Sequence, residues 1–214
     1  PAQPGLTLMI ERPAMTATRF DVLAVGNAIV DVLSPATDAF LADEGIARDA
    51  MTLIDEERAR TLYERMQPGK EASGGSAANT VAGIASLGGR AAYIGKVADD
   101  QLGEIFSHDI RAIGVDFAST PLKGGPATAR CLINVPPDAG RSMSTFLGAA
   151  ALVTEDDVEA GADALRASSI VYLEGYLFDP APARAAFEAA AAAAHAAGRK
   201  VAITLSDTFV VARW

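Results

Sequence analysis

Two short segments carry groups that could grip a ligand rich in hydroxyls. The first is Gly26-Asn27-Ala28-Ile29-Val30-Asp31. Asn27 offers amide donors and an acceptor, and Asp31 offers a carboxylate that accepts from hydroxyl groups. Neighbouring hydroxyls on a sugar ring need such a short acceptor held on a rigid edge. Asn and Asp also serve local turns after strands, so this segment alone leaves both readings open. The second is Ser73-Gly74-Gly75-Ser76-Ala77-Ala78-Asn79. Paired glycines before a helix let a ligand approach the backbone and expose amide donors. Asn79, near the end of the first helical turn, can face the same ligand. No Gly-Lys-Ser/Thr follows, so this is not a Walker A loop, and it lacks the G-x-G-x-x-G spacing of dinucleotide sites. A helix-start turn packed on a sheet has the same composition.

These groups need a frame. Residues 20–26 are a β-rich run ending at Gly26, which predicts a buried strand with Asn27 at its carboxyl end, where open α/β sheets bind ligands. Further strands are predicted over 91–97, 127–135, 141–147, 169–174 and 200–205, and helices over 52–66, 76–87, 101–113, 155–167 and 181–197. The last helix is rich in alanine, a strong helix former. Strands separated by helices of this length predict an α/β fold with a mostly parallel central sheet covered on both faces. The turn Pro136-Pro137-Asp138-Ala139-Gly140 predicts a hairpin. That hairpin and residues 32–51 break the strand–helix rhythm, which predicts a small β lid drawn from about 32–51 and 119–147. Residues 1–19, with Pro1, Pro4 and Pro13, predict an unstructured extension, and an extended stretch is predicted after the last strand.

Composition narrows the partners. The 214 residues carry 18 basic and 27 acidic side chains, a net charge of −9, which weighs against general nucleic-acid binding. Half of the chain is hydrophobic, enough for a full core. The one cysteine, Cys131, excludes a disulfide within the chain, fits a reducing cytoplasm, and reads as a small buried side chain. His108 and His195 stand far apart and CxxC and HExxH are absent, so no metal site is expected. The longest uncharged stretch, 72–89, is rich in glycine and polar residues, so no membrane span is expected.

Several motifs then fall in one order: Gly26-Asn27-x-x-x-Asp31, Gly74-Gly75-x-x-x-Asn79, Leu87-Gly88, Tyr93-Ile94-Gly95-Lys96-Val97 and Asp99-Asp100-x-x-Gly103. They are followed by Arg141-Ser142-Met143 after Cys131-Leu132-Ile133, then Gly175-Tyr176 and Leu205-Ser206. Over residues 20–214 the sequence resembles the PfkB, or ribokinase-like, family of small-molecule kinases, and within it the adenosine kinase branch. Val81 and Ala98 depart from the commonest form of the signature, at positions that supply no ligand group.

The resemblance implies a ribokinase-like α/β/α sandwich with a β lid, represented by its N-terminal two-thirds, with the C-terminal third absent. It implies ATP-dependent phosphorylation, with Mg2+, of a primary hydroxyl on a nucleoside or sugar, adenosine first. Asp31 would hold ring hydroxyls. Gly74, Gly75, Ser76 and Asn79 would hold the same ring, with Asn27 in support. Arg141 would approach the transferring phosphate, and Tyr176 would stack on a base. The family's second signature, Gly-Ala-Gly-Asp, carries its general base and has no match here, so the base and most of the ATP site are expected outside this sequence. A monomer or a lid-mediated dimer would fit. The rivals are another sugar kinase of the family, such as a fructokinase or ribokinase relative, and a non-catalytic ligand-binding protein on the same fold. A nicotinamide-dependent dehydrogenase is disfavoured by the absent fingerprint.

Overall fold

The computed structural model describes residues 18–214, so the extension expected over 1–19 lies, but for its last two residues, outside the described residues. In chain order the elements are β1 (Phe20–Val25), β2 (Ile29–Pro35), α1 (Asp38–Asp43), β3 (Met51–Leu53), α2 (Glu56–Arg65), β4 (Lys70–Gly74), α3 (Ser76–Ser86), β5 (Ala91–Ile94) and α4 (Gln101–Ala112). There follow β6 (Asp116–Phe117), β7 (Ala129–Val135), β8 (Ser142–Phe146), α5 (Glu155–Ala160), α6 (Ala162–Arg166), β9 (Ser168–Glu174), α7 (Ala181–Ala196), β10 (Lys200–Thr204) and α8 (Thr208–Arg213).

The first sheet runs β10-β9-β1-β5-β6 with every pair parallel. Alternation along its strands feeds two layers. Leu23, Val25, Ile94, Val171 and Leu173 pack with Val158, Leu165 and Phe187 beneath α5, α6 and α7. Ala24 and Tyr93 pack with Val81, Phe106 and Ile110 beneath α3 and α4. Strands buried on both faces must be apolar throughout, which is why they read as continuous hydrophobic runs. On α7 the buried positions are Ala183, Ala186, Phe187, Ala190 and Ala194, one helical face made mostly of methyl groups.

The second sheet runs β3-β8-β7-β2-β4 and is mixed, with β2 parallel to β7 and antiparallel to β4. One face is closed by α2: Val32, Leu62 and Leu132 pack with Phe40, Ile46 and Ile54. The other face carries the row Asp31, Cys131, Thr145 and the row Leu33, Ile133, Met143, each aligned by strand register. A slip of one residue would turn Asp31 into the α2 core. This sheet draws on more than 32–51 and 119–147. It takes in all of β2 and also β4, while 36–50 is loop and α1, and β6 ends short of the segment.

Several elements and boundaries differ from expectation. Residues 51–53 pair with β8 and the helix starts only at Glu56, because Asp55 caps it by accepting from Arg58 N at 2.7 Å. The helix expected over 155–167 breaks into α5 and α6 at Gly161, where a side chain would come within 2.5 Å of Ile94. β2, α1, β4 and β6 were not anticipated as separate elements. The stretch after Leu205 is helical, with Asp207 accepting from Phe209 N.

The chain passes between the sheets at 26–28, at Gly75, over 118–128 and at 147–148. Asp100, the cap of α4, fastens the third passage. It accepts from Gly103 N (2.8 Å), Thr128 Oγ1 (2.6 Å) and Thr128 N (2.9 Å), while Thr128 Oγ1 accepts from Ala98 N (2.8 Å). Thr128→Val keeps the shape of this fully buried side chain and leaves the Ala98 amide without an acceptor. A loss of about 1–3 kcal/mol is expected, read from urea denaturation midpoints, and an unmoved midpoint would show the fastening to be dispensable.

Candidate active site

Between the open face of the second sheet and the carboxyl ends of β1 and β9 lies a cavity of about 590 Å3. Strand ends of a parallel sheet point their last side chains and free backbone groups into such a space. Asn27, Asp31, Gly75, Ser76, Asn79, Arg141 and Tyr176 all line it, so the residues singled out from the sequence are gathered at one place. Gly74 does not line it but stands behind Asp31. A β-carbon at 74 would sit 2.2 Å from Asp31 Cγ, so the bare α-carbon makes room for the carboxylate. Gly75 holds φ at 94° as the cap of α3, a conformation that side chains disfavour.

Asp31 accepts no hydrogen bond from the described residues. Burial pushes its carboxyl up to about 6, and the nearby positive charge of Arg141 pulls the other way. Arg141 is exposed, immediately precedes β8, and forms no ion pair among the described residues. The Asn79 side chain is likewise without a protein partner among them and is exposed to the cavity. A desolvated acceptor and an uncommitted amide facing one space are what a ligand with several hydroxyls would satisfy.

Glu174 was missed by the sequence reading, although a lone charged residue ending an otherwise apolar strand was the available signal. It is 1% exposed and lines the same cavity. It accepts from Asn27 N (2.7 Å), Asn27 Nδ2 (2.8 Å), Ala77 N (3.0 Å) and Ser76 Oγ. Asn27 and Ser76 are therefore already engaged by the protein.

The same cavity is also lined by the apolar side chains of Met51, Leu53, Ile133 and Met143. Tyr176 and Phe209 bring ring centroids to 5.9 Å, and Tyr176 N donates to Ser206 Oγ at 3.1 Å. Burial, with the Asp207 charge, pushes the Tyr176 hydroxyl up to about 12. Thr145 Oγ1 donates to Cys131 Sγ at 3.2 Å, and burial pushes the thiol up to about 11, so Cys131 is no nucleophile at neutral pH. Among the described residues no group of three or more His, Cys, Asp or Glu side chains gathers to hold a metal ion. No helix among them is long and apolar enough to cross a membrane.

A parallel sheet clothed by helices, with a second sheet roofing the carboxyl ends of its strands over a polar pocket, defines the ribokinase-like small-molecule kinases. The chain matches the pfkB family carbohydrate kinase model over residues 45–211 and belongs to that family. The adenosine kinase from Sinorhizobium meliloti is 57% identical, with a TM-score of 0.85 over 91% of this chain and 59% of that one. A probable sugar kinase protein from Rhizobium etli CFN 42 is 54% identical, with a TM-score of 0.86 over 92% of this chain and 59% of that one. The 5-dehydro-2-deoxygluconokinase of Shouchella clausii is 28% identical over 192 residues, which cover 87% of this chain and 51% of that protein. The chain thus spans between half and three-fifths of the length of these relatives.

Proposed function

We propose that the cavity is the acceptor site of a nucleoside kinase that phosphorylates the 5′-hydroxyl of adenosine. The observation that carries this reading is the mixed lining of the one cavity. It presents the unpartnered Asp31 carboxylate, the Gly75 backbone and the Asn79 amide, and it is also lined by Met51, Ile133 and Met143 and by the Tyr176–Phe209 pair. Asp31 would accept from ribose hydroxyls, Asn79 would bind the same ring, and the apolar and aromatic side chains would take the base. Arg141, the cation at the rim, would face the transferring phosphate. ATP with magnesium, which the family implies, supplies the phosphoryl group when bound. The second sheet would act as the lid that excludes water around the acceptor.

A sugar acceptor is the second reading, favoured by the likeness to the Rhizobium etli protein described as a probable sugar kinase. Calorimetric titration of this chain with adenosine, ribose and fructose, without ATP, separates the two. Saturable binding of adenosine, with ribose and fructose about 100-fold weaker for want of the base contacts, is expected. Binding of fructose but not adenosine would overturn the nucleoside reading. ADP release on adding Mg-ATP would mark the chain as a kinase, whereas little is expected from this sequence alone, since the general base and most of the ATP site are expected outside it.

A further inference from the structure

Glu174 touches both segments that carry the hydroxyl-reading groups, and its two oxygens accept four hydrogen bonds from them. Oε2 accepts from Asn27 N and Nδ2, and Oε1 accepts from Ala77 N and Ser76 Oγ. Asn27 lies on the passage from β1 into β2, and β2 carries Asp31. Ser76 and Ala77 open α3 just after the passage out of β4, and α3 carries Asn79. One side chain at the end of β9 therefore ties together the two places where the chain changes sheets beside the cavity. Charge-assisted bonds to backbone amides are strong and directional, and a buried acceptor with both oxygens engaged resists displacement.

We propose that Glu174 is the positioning residue of this site, a brace that sets the gap between Asp31 and Asn79 before any ligand arrives. Its effect on ligand affinity rests on the acceptor-site reading above, whereas the brace itself does not.

Glu174→Gln retains the shape but replaces one oxygen with an NH2 donor. Turned either way, it leaves the Asn27 or the Ala77 backbone amide facing a donor. Hydrogen exchange in the ligand-free chain should then accelerate about tenfold or more at Asn27 and over residues 76–79, with α7 and β10 unchanged. The adenosine Kd should rise about tenfold or more, since a small misplacement of a binding group is felt strongly. In an Asn79→Ala background the same substitution should weaken binding by less than about threefold, because no amide remains to be placed. Glu174→Asp, one methylene shorter, should not restore the affinity.

Exchange that is unchanged at both segments, or that rises uniformly over the chain, overturns the brace. So does an equal loss of affinity in both backgrounds, which a merely structural role would give. If the parent chain binds no adenosine, the acceptor reading fails alone and the exchange comparison decides the brace. If Glu174→Gln does not fold, Ser76→Ala removes one donor only and must show faster exchange confined to residues 76–79, and its absence there overturns the proposal.

Discussion

Asp31→Asn is expected to stabilise the ligand-free chain at pH 8 while removing adenosine binding. The carboxyl sits largely out of water with no donor facing it, and burial moves it from its ordinary 3.8 to about 6. The folded chain therefore holds the proton more tightly than the unfolded chain does. Stability is unaffected by this group below about pH 3.8, falls as pH rises through about 6, and is lowest above that. The full shift corresponds to about 3 kcal/mol, an upper figure because the cavity is open to solvent. Asparagine keeps the shape without the charge, so the variant should melt higher at pH 8, with the difference closing towards pH 4.

Binding should move the opposite way. An asparagine NH2 would face ligand hydroxyls that can no longer donate to a carboxylate, and about 100-fold or more of affinity should go. In the parent chain, adenosine affinity should also decline as pH drops below about 6, when Asp31 gains its proton. Calorimetry at pH 8 and pH 5 with melting curves at pH 8 and pH 4 checks all three. A variant that melts lower at pH 8, or that still binds adenosine normally, would remove Asp31 from the site.

That opposition explains why some of this molecule was legible in its sequence and some was not. β1, α3, β5, α4, β9, α7 and β10 follow from strong periodicity and glycine stops, because burial on one or two faces writes itself into the spacing of apolar residues. β4, Lys-Glu-Ala-Ser-Gly, has poor strand propensity and owes its conformation to antiparallel pairing with β2, a partner far away in the sequence. The polar groups Asn27, Asp31, the diglycine and Asn79 were ambiguous one by one, since Asn and Asp also serve local turns after strands, and stood out only through the order of motifs along the chain that resembles the PfkB family. Met51, Cys131 and Met143 come into the same cavity only through the register of the second sheet, which no local pattern specifies. Glu174 was hidden by a similar limit: its meaning depends on four donors brought from two distant segments.

The two adjacent glycines should respond differently to the same substitution. At Gly75 the backbone sits at φ 94°, and a β-carbon would lie 2.4 Å from the Asn27 carbonyl oxygen. Neither the dihedral nor a backbone atom can yield cheaply, so Gly75→Ala should cost about 1–3 kcal/mol of stability and reduce affinity by distorting the start of α3. At Gly74 the backbone is not in the left-handed region, and the atoms in the way are Asp31 Cγ and its two oxygens, at 2.2, 2.3 and 2.6 Å. A side chain can turn, so Gly74→Ala should leave the melting temperature near that of the parent while driving the carboxylate from its position. With the hydroxyl acceptor displaced by more than about 1 Å, adenosine affinity should fall about 100-fold. Melting curves and titrations on the two variants separate the effects, and normal adenosine binding by Gly74→Ala would show that the ligand does not depend on Asp31. The diglycine is thus two requirements side by side: Gly75 supplies a backbone turn, and Gly74 supplies the empty volume that a neighbouring carboxylate fills.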